Sequence, residues 1–187
     1  MQAAKVVVAG VIGLAGAIAL TRPSPADEFT CQGVLTAIAV DNLRVPDGAT
    51  CNLNGTRVEG NITVEAGAVL VAREVQVDGN IQAENAAQVS IIGRSRVGGN
   101  IQIKQSGGTT VLNSRINGNL QFEENTQALS SEGNYIGGNL QAFKNSGGLR
   151  VFTNRIGGNL QCKDNRPAPT GNGNVVRGTK DDQCARF

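Results

Sequence analysis

The sequence contains no histidine and no tryptophan, and only five phenylalanines and one tyrosine. Without histidine there is no His-based triad, no imidazole metal ligand and no side chain that ordinarily titrates near neutrality. Six aromatics are too few for the stacking platforms on which single-stranded nucleic acid is held. A dominant charge is missing as well. The 187 residues carry 17 Lys and Arg against 15 Asp and Glu, a net of +2, so no nucleic-acid partner is expected, since such binding is driven by phosphate neutralisation. What the chain holds in quantity is glycine, 25 residues, in a length that suits one domain.

The one long apolar run lies at the start. Met1–Ala26 has the three parts of a secretory signal: Lys5, then Val6–Leu20, then the small-residue ending Ser24-Pro25-Ala26. The apolar run falls short of the roughly 20 residues that span a bilayer. A leader cleaved before Asp27 is therefore expected, with no stable membrane insertion afterwards. Cys31 lies too far beyond that boundary to be a lipid-anchoring cysteine. Cleavage would remove Lys5 and Arg22, two of the 17 basic residues, and none of the 15 acids. Residues 27–187 are then neutral overall.

The rest of the chain repeats. Gly-Asn pairs place Asn61, Asn80, Asn100, Asn119, Asn139 and Asn159 at intervals of 19 or 20 residues. Three residues before each Asn stands Val58, Val77, Val97, Ile116, Ile136 or Ile156; one after it stands Ile62, Ile81, Ile101, Leu120, Leu140 or Leu160. Two after it is a polar residue, Thr63 and then Gln82, Gln102, Gln121, Gln141 and Gln161. Apolar–polar alternation of this kind predicts a short half-buried strand. Glycine pairs and β-branched columns oppose a helix. A unit of two or three short strands cannot bury its apolar face alone, but it can when stacked on copies of itself.

The expected fold is therefore all-β, a single-stranded parallel β-helix (solenoid). Seven to eight coils of 19–20 residues would make a rod about 35 Å long at the ~4.8 Å strand spacing. The repeats run over about 42–179, with terminal caps at 27–41 and 162–187, in one β-helix domain spanning 27–187. The rungs Arg57-Val58-Glu59-Gly60-Asn61-Ile62 and Gln76-Val77-Asp78-Gly79-Asn80-Ile81 resemble the "V-x-G-N-I" rungs of the bactofilins, bacterial polymer-forming β-helix proteins. That resemblance covers roughly residues 42–161 and implies a right-handed coil. Bactofilins lack a cleaved signal and terminal cysteines, so the fold is carried over and their polymerisation is kept only as an alternative.

The four cysteines lie at the two ends. An exported chain is expected to pair them. Cys31 and Cys51 are 20 residues apart, and Cys162 and Cys184 are 22 apart, about one coil each. Residues one coil apart stack near 5 Å, within the reach of a disulfide, whereas other pairings would span the rod. Disulfide-closed ends at Cys31–Cys51 and Cys162–Cys184 follow. Without histidine or a close cysteine pair, no metal site and no cofactor are expected.

Several columns bear on function. The Asn column is expected to hold a tight turn, through tolerance of left-handed backbone and amide pairing between coils. The Gln row either satisfies itself or meets sugar hydroxyls. Glu59 stacks with Asp78 and Glu65 with Glu84, near the carboxylate separation of a retaining glycosidase. On a convex solvated rung such carboxylates are simply exposed, so no catalytic residue is expected. Two sequons, Asn54-Gly55-Thr56 and Asn61-Ile62-Thr63, match the glycosylation pattern but sit in a chain with bacterial features. Four residues before each Asn runs Arg57, Gln76, Arg96, Arg115, Tyr135, Arg155. This basic stripe on a neutral chain reads either as a groove for an acidic polysaccharide or as a solvated edge paired with Glu59 and Asp78. The sequence thus describes a secreted or periplasmic structural or binding module. Alternatives are a polysaccharide-binding or -modifying β-helix and a polymer scaffold; the oligomeric state is open.

Overall fold

The computed structural model describes residues 28–187. The leader expected at 1–26 lies outside the described residues. The chain winds as an all-β parallel solenoid of about eight turns, with no helix among the described residues. Each turn lays down three short strands, one on each of three faces. In one turn these are Leu120–Glu123, Leu129–Glu132 and Tyr135–Ile136. The first face collects nine such strands and the second and third eight each. Pairing is parallel and in register from coil to coil, as in Leu120 beside Leu140 and Arg115 beside Tyr135.

The alternation sets which side chains enter the core. Along Ile101–Lys104, Ile101 and Ile103 are fully buried, while Gln102 and Lys104 stay at the surface. The same holds for Leu120 and Phe122 in the next coil. Each buried Ile, Leu or Phe contributes about 1.5–3 kcal/mol by leaving water, which offsets the entropy of ordering many short segments. The core is a continuous apolar column along the rod axis, with Val58, Val77, Val97, Ile116, Ile136 and Ile156 filling it from the third face.

The Gly-Asn corner meets the expectation in part: side-chain amides pair between coils, Asn80 to Asn61 and Asn119 to Asn100 at 3.1 Å, but the backbone is not left-handed. None of its six asparagines has a positive φ. Left-handed backbone falls instead at the other two corners, for example at Gln105, Glu124 and Lys144 after the first face and at Asn113, Gly133 and Thr153 after the second. The Gly-Asn corner is held by a side-chain ladder. Each Asn carbonyl accepts the backbone N–H of the Asn in the next coil: Asn80 to Asn61 at 2.9 Å, Asn100 to Asn80 and Asn119 to Asn100 at 2.8 Å. Asn139 to Asn119 and Asn159 to Asn139 follow at 2.7 Å. The glycine before each Asn makes room for this bond. A Cβ at Gly118 would collide with the Asn100 amide oxygen, and one at Gly138 with that of Asn119.

Both disulfides join neighbouring coils, Cys31–Cys51 with a Cα separation of 5.6 Å and Cys162–Cys184 with 5.3 Å. The terminal segments expected as caps are themselves coils of the solenoid. Glu28–Thr30, Gly33–Thr36 and Ala39–Val40 contribute one strand to each face, and so do Thr170–Asn172, Val175–Val176 and Lys180–Asp182. Beyond the last strand a turn closes the C-terminal end. Cys184 is buried within it, Phe187 lies over Gly171, and the Lys180 ammonium donates to the Phe187 carbonyl.

Candidate functional site

The stripe residues lie in one outward column on the third face. Strand register places Arg57 beside Gln76, Gln76 beside Arg96, Arg96 beside Arg115, Arg115 beside Tyr135 and Tyr135 beside Arg155. All six are exposed while their strand neighbours Val58, Val77, Val97, Ile116, Ile136 and Ile156 point into the core. The two-residue strands leave no choice: one side chain goes in and the other out.

The column is not uniform. Arg57 is neutralised, with Asp78 at 2.6 Å and Glu59 at 3.5 Å. The two acids expected to stack are therefore both drawn to one guanidinium. Beyond Asp78 the second outward column of this face reads Gly98, Asn117, Gly137, Gly157 and Arg177, with no acid. Arg115 donates to the Asn117 amide oxygen at 3.2 Å and stacks over the Tyr135 ring, its Cζ 4.3 Å from the centroid. Among the described residues Arg96, Arg115, Arg155 and Arg177 make no ion pair. The charge is thus offset at one end of the face and open along the rest. Arg177, a residue the repeat columns do not single out, joins this open part. Its signal was its place two residues before Thr179, which takes the Asn position in the decayed last repeat and donates its N–H to Asn159.

No protein-family model matches the chain, and no curated protein is similar to it. The bactofilin resemblance therefore rests on the rung motif, and the surface chemistry carries the functional argument.

The first face presents the Gln row. Gln82 is exposed and Gln102, Gln121, Gln141 and Gln161 are half-buried. Direct amide contact within the row occurs at Gln141 and Gln161, 2.9 Å apart. Glu65 and Glu84 are in adjacent coils on this face, and Glu65 pairs with Arg44 at 3.2 Å. Glu28, 2.9 Å from the other side of the same guanidinium, helps raise the Arg44 pKa, although Glu65 is the larger cause. Among the described residues no cluster of three or more cysteines and carboxylates has the arrangement of a metal site.

Two further asparagine ladders, absent from the sequence expectations, run inside the rod. Asn125, Asn145 and Asn165 form one at the corner after the first face; Asn134, Asn154 and Asn174 form the other after the second. All six are buried. Their spacing of 20 residues is visible in the sequence, although Asn125, Asn145, Asn154 and Asn165 lack the preceding glycine that marks the outer column.

Proposed function

We propose that the protein is an exported, non-catalytic binding module of the bacterial cell envelope or extracellular space, and that its third face holds an acidic polysaccharide. The observation that carries this reading is the run of exposed arginines without ion pairs, Arg96, Arg115 and Arg155, in register on a rigid ladder. Guanidinium groups stay charged at any physiological pH. Arg96 and Arg115, on consecutive coils, repel each other, and a linear polyanion lying along the rod would relieve that repulsion. Tyr135, in the same column, offers an aromatic face to a sugar ring.

Two further features support the reading. Both disulfides are of the kind that persists in an oxidising compartment, which fits export. The paired carboxylates are poor candidates for catalysis, because Glu59 and Asp78 are engaged by Arg57 and Glu65 by Arg44, where a general acid would need a site that keeps it protonated. Affinity measurement on soluble acidic envelope glycans tests the binding. The wild type should bind, added salt should weaken it, and Arg96→Ala with Arg115→Ala should weaken it without unfolding the chain. Salt-insensitive binding, or none, would overturn the assignment. Export is tested by N-terminal sequencing, which should begin at or near Asp27; a retained Met1–Ala26 in the membrane fraction would contradict it.

A further inference from the structure

The sequence contains three Asn-Gly pairs, Asn54-Gly55, Asn117-Gly118 and Asn172-Gly173, and the asparagine of each is exposed. In such a pair the glycine nitrogen has no side chain beside it and can approach the preceding amide carbon closely. The fold treats the three differently. Gly55 donates its N–H to the Arg73 carbonyl and Gly118 to the Gly99 carbonyl, each at 3.0 Å. Both nitrogens are tied into the ladder between coils. Gly173 lies in the last coil. At the same corner Thr153, one coil earlier, donates to the Asn172 carbonyl, and Gly133, two coils earlier, donates to that of Phe152. No coil follows Gly173, so its N–H turns back to the side-chain oxygen of Asn172 at 2.7 Å. Gly55 occupies the same corner with nearly the same backbone, φ 63° against 69° for Gly173. The difference between the two is the presence of a following coil.

We propose that Asn172 is a site of spontaneous modification, converted to aspartate and isoaspartate in the folded protein while Asn54 and Asn117 are spared. The Gly173 nitrogen loses its proton to solvent base and bonds to Cγ of Asn172; ammonia leaves and a cyclic imide closes. Water then opens the imide at one carbonyl or the other. The sum is amide plus water to carboxylate plus ammonium. The exposed last coil admits the base, and the 2.7 Å contact holds the Asn172 amide against the nitrogen that attacks it. At Gly55 and Gly118 the nitrogen must first be released from its ladder bond by a local opening. The consequence falls on the inner ladder. Asn174, two residues on, is buried; its side-chain carbonyl accepts both N–H donors of Asn154 at 3.0 Å, and its amide donates to the Val151 carbonyl at 2.8 Å. Isoaspartate routes the main chain through the former side chain and lengthens it between Asn172 and Gly173. That displaces Asn174 from these bonds and loosens the end of the rod.

Peptide mapping by mass spectrometry of the folded full chain, aged at physiological temperature and mildly alkaline pH, tests this. Conversion at Asn172 should run at least about tenfold faster than at Asn54 or Asn117, since those two alone require a local opening. In denaturing urea the three rates should converge. Aged wild type should exchange the amides of residues 172–177 faster than fresh protein, and Asn172→Gln should show no such change on ageing. Equal rates at the three sites in the folded chain, or faster conversion at Asn54, would overturn the assignment of the site. An excess at Asn172 that persisted in urea would overturn the fold as its cause. Isoaspartate at Asn172 with unchanged exchange would overturn the coupling to the inner ladder.

Discussion

The side-chain carbonyl of Asn154 accepts both N–H donors of Asn134, the backbone amide at 3.0 Å and the side-chain amide at 3.1 Å. The Asn154 amide in turn donates to the Ser131 carbonyl at 2.8 Å and to Asn174 at 3.0 Å. All of these groups are buried. Removing this side chain leaves several buried donors and acceptors without partners, each costing roughly 1–3 kcal/mol. Asn154→Ala should therefore destabilise the protein by about 3–4 kcal/mol. Asn119→Ala, in the outer ladder where water can substitute, should cost about 1 kcal/mol. Urea unfolding of the two variants compares them, and equal losses would contradict the distinction between inner and outer ladders.

Thr109 marks the opposite situation. Its hydroxyl is buried and, alone among buried side-chain polar atoms of the described residues, has no hydrogen-bond partner. Its neighbours in the same core column are Val89 and Leu129. Thr109→Val keeps the shape and removes the desolvated oxygen, so it should stabilise the fold by about 1 kcal/mol. A lower thermal midpoint for the variant would show that the hydroxyl is satisfied in solution.

The terminal disulfides should act locally. Each closes a loop of about 20 residues and should contribute about 3 kcal/mol on the chain-entropy estimate. In a solenoid the end coils have neighbours on one side only. Replacing Cys162 and Cys184 with serine should therefore speed hydrogen exchange over 170–187 while the amides of Leu120–Ile136 remain protected. Uniform loss of protection along the rod would show that the ends and the middle unfold as one unit.

Much of this architecture was legible in the sequence, and the reasons are physical. Period-2 alternation at 19–20-residue intervals has one economical solution, and the Val58-to-Ile156 column fills the core accordingly. The cysteine pairs followed from the coil spacing. The role of the outer asparagines was harder to read. Their carbonyls bond to a backbone N–H one coil away, a relation between chain segments that no local propensity encodes. That Gly118 and Gly138 serve to admit this carbonyl, rather than to adopt a left-handed turn, was equally hidden. At the candidate site the column itself was readable, whereas the difference between neutralised Arg57 and unpaired Arg96 depended on where the Asp78 side chain turns.

Acid sensitivity should appear at Glu132. The Ser130 hydroxyl at 2.7 Å and, less strongly, Arg150 at 3.0 Å hold its carboxyl below the usual carboxylate range. A depressed carboxyl pKa contributes stability that is fully present above the unfolded-state value and fades as pH falls through the folded-state value. Glu132→Gln should then lose a fraction of a kcal/mol at pH 7, about what an exposed pair provides. The gap from wild type should close on acidification. Denaturant midpoints across that range measure it, and a gap that widens toward acid would contradict the sign.

On the proposed reading, the ligand sits on the open arginine run of the third face. Chemical-shift mapping of the isotope-labelled chain against an acidic oligosaccharide tests it most directly. Shifts should be confined to Arg96, Arg115, Tyr135, Arg155 and Arg177, with Arg57 and the Gln102–Gln161 row unmoved. Shifts centred on the glutamine row, or none at oligosaccharide concentrations where binding is detected by calorimetry, would contradict it.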